Sequence, residues 1–154
     1  MSTPKKQRTT LNLIYIAIMS ALTLMAIFAM YFVRANGAVE AFSPDSNYTI
    51  KTMVIMALLI GIPVSHLFYH KKIKHISQEW ELSRRLTHFR TAFIVRIAVL
   101  EGVGLLSIIA YLLNADKSFM YMFGVIFVLF IIHAPTRNRI ATDLELNEEE
   151  QAKL

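Results

Sequence analysis

The chain has 154 residues, of which 55% are apolar and only 18% charged, and its formal net charge is +5. A water-soluble domain carries about 25% charged residues, so an ordinary soluble domain is disfavoured at once. There is no cysteine, which excludes disulfides, thiolate metal sites and a cysteine nucleophile.

Crossing a hydrocarbon core of roughly 30 Å takes about 20 helical residues. Residues 11–33 form the first such run, broken only by the uncharged polar groups Asn12, Ser20 and Thr23. Residues 50–69 form the second, with a Gly61-Ile62-Pro63 step expected to kink it or loosen its last turns. Residues 92–113 form the third, the one run that carries charges, Arg96 and Glu101. Residues 118–133 form the fourth and shortest, expected to need tilt or a locally thinned bilayer. Between the last two, Asn114-Ala115-Asp116-Lys117 predicts a tight turn and antiparallel neighbours. The expected fold is therefore all-α, an integral membrane four-helix bundle made of two transmembrane hairpins.

Basic residues set the expected orientation. Lys5, Lys6 and Arg8 precede the first run, and Lys71, Lys72, Lys74, Arg84, Arg85 and Arg90 separate the second from the third. Arg137, Arg139 and Lys153 follow the fourth, whereas the two opposite loops and their edges hold only Arg34, Lys51 and Lys117. The positive-inside rule then predicts a cytoplasmic tail at 1–10, a cytoplasmic loop at 70–91 and a cytoplasmic tail at 134–154. The expected setting is the bacterial cytoplasmic (inner) membrane, with anionic headgroups rather than nucleic acid as the partner of these basic segments.

The 70–91 segment is more than a linker. Leu82, Leu86, Phe89 and Phe93 recur at helical spacing, which extends the third helix backwards. Trp80 suits an interfacial anchor, and Ile73, Ile76 and Trp80 make a second apolar stripe for the headgroups or the tail. After the fourth run, Thr136 and Asn147 read as N-caps of two short helices, which must dock on something to persist.

Glu101 is the residue with the most chemistry. It lies near the middle of its run, where a charged carboxylate costs several kcal/mol, so it is expected to be protonated, paired or turned to a polar cavity. Arg96 is about 140° away around the helix, too far for an intrahelical ion pair, and is expected to snorkel to the surface. Ala98, Gly102 and Gly104 form the small-residue surface around Glu101, suited to close approach of another helix. Ser20 and Thr23, at similar depth on the first run, are the expected hydrogen-bond partners. His66 and His70, at i and i+4, and His133 at a similar depth give a weaker reading as metal or haem ligands. No phosphate loop, nucleophile elbow or other catalytic motif is present, and no cofactor is expected.

Two resemblances add to this. Ala98-Val99-Leu100-Glu101-Gly102, within residues 93–113, resembles the ion-carrying helix of rotary ATPase c subunits, which implies a carboxyl at Glu101 that alternately binds and releases an ion. Those subunits pair that helix with a glycine-repeat helix, which no run here provides. The chain also resembles a group of small uncharacterised four-helix bacterial inner-membrane proteins, through Arg96, Glu101-Gly102, Pro135-Thr136 and Asp143-Leu144-Glu145-Leu146. The leading expectation is a non-enzymatic accessory or structural membrane protein, assembling as a homo-oligomer or with a larger complex. A proton- or cation-handling protein using Glu101 is the alternative, and a haem or metal redox protein the third.

Overall fold

The computed structural model describes residues 3–39 and 43–154. It is 83% helix, with no strand among the described residues. The helices are α1 (Pro4–Asn36), α2 (Pro44–Lys74), α3 (Leu82–Asn114), α4 (Ser118–Ile132), α5 (Arg137–Asp143) and α6 (Glu148–Ala152). Proline opens both α1 and α2, where its missing N–H would have had no helical partner anyway. Gly37, at φ 82°, closes α1 with a backbone twist that a side chain would resist.

The helices outrun the apolar segments. α1 and α3 have 33 residues each and α2 has 31, so each rises about 45–50 Å. All three are long and apolar enough to cross a membrane. α4 has only 15 residues and meets that standard only when joined to α5, which turns away from it by 77°. α4 matches the expected 118–133 run to within one residue, and the helices long and apolar enough to span number three, or four if α4 and α5 form one bent span. α3 reaches back to Leu82, in line with the helical spacing of Leu82, Leu86, Phe89 and Phe93, and residues 75–81 join it to α2. Pro63 does not end α2, which stays helical to Lys74 with the proline on its exposed side.

α3 is the hub and packs against α1, α2 and α4. Its buried side, including Phe89, Phe93, Leu100 and Ile108, meets Ala26 and Ala29 of α1, Val54 of α2 and Phe119, Ile126 and Phe130 of α4 in one core. Small residues set the spacing: a Cβ at Gly61 would lie 2.8 Å from Val103 Cγ2, and one at Gly104 would lie 3.3 Å from Ile126 Cγ2. α1 and α2 pack chiefly on α3 and make no substantial interface with one another. One face of α3 is consequently uncovered, and Val95, Ala98, Gly102, Leu106 and Ile109 are exposed along it.

At the end of the bundle away from the chain termini, Ala115 adopts φ 55° and turns the chain sharply from α3 to α4. Here Lys51 Nζ meets Asp116 at 2.6 Å, and the Ser118 amide and hydroxyl donate to the same carboxylate at 2.9 and 2.8 Å. The lysine first, and then the serine, hold the Asp116 carboxyl well below the usual carboxylate range. A folded pKa below the unfolded one means stability that is complete above about pH 4 and lost as pH falls further. Acidification is therefore expected to cost the parent chain more thermal stability than a Lys51→Met variant. Equal losses in detergent-solubilised samples at pH 5 and pH 3 would remove this bridge from the account.

Candidate functional site

On α3, Glu101 lies at the edge of the uncovered face and is partly exposed. No hydrogen bond or ion pair reaches its carboxylate from any described residue. The expected partners do not serve. Thr23 donates its hydroxyl to the Met19 carbonyl at 2.7 Å, and Ser20 is exposed. The reason is the rotation of α1, which buries Leu22, Ala26 and Ala29 and turns its polar groups elsewhere. The small-residue surface also divides. Ala98 and Gly102 lie on the open face, and a Cβ at Gly102 would meet nothing within 4 Å. Gly104 faces the other way, against Ile126, Leu22 and Phe123.

Arg96 corrects a second expectation. It is only 3% exposed and does not snorkel outwards. Its guanidinium turns into the bundle, donates from Nη2 to His66 Nδ1 at 3.3 Å and lies 4.7 Å from the centre of the Tyr69 ring. Tyr69 in turn donates its hydroxyl to the Asp143 carboxylate, which also lies 3.9 Å from Arg139 Nε. A polar chain therefore runs from α3 through α2 to α5. Cation–π contact with Tyr69 offsets part of the cost of burying the arginine, and the balancing acid comes from the C-terminal segment.

A second buried arginine fastens the same segment. The Arg85 side chain is 3% exposed, meets Glu150 Oε1 at 3.0 Å through Nη1 and donates from Nη2 to the Leu144 carbonyl. Arg8 donates to the Leu154 carbonyl at 2.8 Å, and Ile140, Leu144, Leu146 and Leu154 are buried. Local signals build what is held. The Thr136 hydroxyl accepts from the Arg139 amide, and Asn147 and Glu150 form a reciprocal capping box. Helices of seven and five residues would not persist without this dock. Sequence reasoning missed Tyr69, Arg139 and the role of Arg85. The one available signal was Tyr69 at i+3 from His66, on the same side of α2.

The histidines pair without forming a metal cage. His66 and His70 rings stand 4.2 Å apart in an edge-on arrangement, and His133 Nδ1 is engaged with the Leu129 carbonyl at 2.7 Å. Among the described residues no three His, Asp or Glu groups are arranged to hold a metal ion. The geometry thus presents two features of interest, an unpartnered carboxyl beside an open helix face and a polar latch on the C-terminal segment. No protein-family model, curated protein or solved structure matches the chain.

Proposed function

We propose that this is a multi-pass protein of the bacterial cytoplasmic membrane, with four spans and both termini inside. In this reading it is a non-enzymatic accessory or structural subunit that assembles through α3, on a second copy of itself or within a larger membrane complex. One observation carries the reading: the open space at Gly102 lies beside a Glu101 that no group among the described residues satisfies. In a bilayer a small-residue face admits a second helix backbone, and a carboxyl left facing hydrocarbon costs several kcal/mol until a partner supplies a hydrogen bond. The excess of basic residues on the segments flanking the long helices supports the orientation.

Glu101→Gln keeps a hydrogen-bonding group and is expected to retain association, measured by energy transfer between labelled copies in vesicles. Glu101→Leu removes it and is expected to weaken association about tenfold, in line with the ~1–2 kcal/mol of a polar contact between membrane helices. Unchanged association in both variants rules out this role.

The same missing partner supports a second reading, in which Glu101 binds and releases a proton or cation. That reading expects Glu101→Gln to assemble normally but to lose ion flux. Labelling of Glu101 by a hydrophobic carbodiimide that fades at high pH or with added sodium favours it, and a protected carboxyl favours assembly.

A further inference from the structure

The end of α2 and the start of α3 enclose a groove of about 450 Å³, whose apolar floor is Phe68, Ile76 and Trp80. Lys71, Lys72, His75 and His88 rim it, and no acidic side chain lines it. A neighbouring hollow that also borders Trp80 differs, because Glu79 and Glu81 line it. Trp80 is a fixed wall. The His88 ring lies 5.0 Å from its ring on one contact, and the Arg84 guanidinium 4.2 Å from its centre on another. Both lysines are exposed, and neither forms an ion pair among the described residues. The groove opens beside Phe68, itself 55% exposed, at the last turn of the apolar run 50–69.

We propose that this groove binds the headgroup of an anionic phospholipid, with the phosphate between Lys71 and Lys72 and the first acyl carbons against Phe68, Ile76 and Trp80. The proposal rests on the membrane orientation given above. Charge complementarity selects the sign of the ligand, since every ionisable side chain at the rim is a base. The apolar floor selects a lipid over a soluble anion, because a free phosphate gains nothing from an indole and an isoleucine. The level fits as well: the groove begins where apolar residues give way to lysine, the depth at which lipid phosphates lie and at which tryptophan prefers to sit. Each basic residue near an anionic surface contributes about 1 kcal/mol, which corresponds to roughly fivefold local enrichment.

Trp80 is the single tryptophan, so the tryptophan fluorescence comes from this position alone. The full chain is reconstituted in phosphatidylcholine vesicles containing an equal minor fraction of either brominated phosphatidylglycerol or brominated phosphatidylcholine, whose bromines quench at short range. A preference of roughly fivefold or more for the anionic quencher is expected. Lys71→Gln with Lys72→Gln should bring it close to parity, and Lys5→Gln with Lys6→Gln, which removes the same charge elsewhere, should leave it intact. Loss of the preference in both double variants would mean only diffuse charge and overturn the site. Abolition by inorganic phosphate would identify a free-phosphate site and overturn the lipid. Equal quenching by both lipids would leave Trp80 in the membrane with no site. No quenching by either would remove the groove from the bilayer and contradict the membrane placement on which the proposal rests.

Discussion

Gly102→Leu is expected to leave the folded chain intact and abolish its self-association, whereas Gly104→Leu, two residues further on, destabilises the bundle. The two glycines share a helix and a propensity, so only their surroundings distinguish them. At Gly102 a new Cβ meets nothing within 4 Å, and the leucine extends over the open face of α3. It blocks the approach of a second backbone without disturbing the first. At Gly104 the Cβ alone already stands 3.3 Å from Ile126, with Leu22 and Phe123 behind it. Ile126 and Leu22 are buried core residues and have nowhere to go. Overpacking of this kind costs typically about 1–3 kcal/mol for small additions, and four added carbons between three helices belong at the upper end or beyond. Thermal unfolding in detergent reads the second effect and energy transfer between labelled copies in vesicles reads the first. If both variants unfold alike, the open face is not open.

Arg85→Ala is expected to release the C-terminal segment while α1 to α4 stay packed. The Leu144 carbonyl loses its partner, and the Glu150 carboxylate loses the arginine and keeps only the Asn147 amide. Glu150 retains some access to water, its side chain being 22% exposed, so it resolvates at limited cost. The carbonyl and the void left by a fully buried side chain carry most of the penalty, and breaking such a buried contact costs about 3 kcal/mol. That exceeds what helices of seven and five residues can absorb. Trypsin has targets at Arg137, Arg139 and Lys153. Limited digestion followed by mass measurement should show rapid loss of residues 138–154 in the variant and slow loss in the parent. Arg85→Lys should fall between, since a single ammonium cannot serve both oxygens in the fork geometry of a guanidinium. Identical digestion rates would mean that the apolar contacts of Leu144, Leu146 and Leu154 hold the segment unaided.

How far the sequence carried can be judged element by element. The cores of α1, α2 and α3 were legible because a continuous apolar run of that length has one economical structure. The backward extension of α3 to Leu82 was legible as well, from the helical spacing of Leu82, Leu86, Phe89 and Phe93, whereas the polar ends of α1 and α2 beyond their apolar runs were not. Thr136 and Asn147 were legible as caps because capping is local, decided within three residues. The neighbours of Glu101 and Arg96 were opaque for the opposite reason. Depth along a helix can be counted from the sequence, but rotation about its axis depends on what packs beside it. Ser20 and Thr23 stand at a suitable depth on α1 and point elsewhere, because Leu22, Ala26 and Ala29 claim the inner face. Arg96 has the reach to leave the bundle, yet α2 offers it His66 and Tyr69, and Tyr69 offers an acid from another helix altogether. The resemblance motifs at Arg96 and Asp143 are far apart in sequence, and Tyr69 joins them. No spacing rule connects 69, 96 and 143.

Assembly through the open face of α3 is tested most directly by a photoreactive amino acid placed at Leu106 and, in separate samples, at Leu24 of α1 and Tyr121 of α4. All three positions are exposed, at 40%, 67% and 74%, so exposure alone favours the two controls. Illumination in native membranes is expected to give a protein adduct of one defined mass at Leu106, either a second copy or a single other subunit, and only lipid adducts at Leu24 and Tyr121. Lipid adducts alone at Leu106, or the same protein adducts at all three positions, would contradict the account.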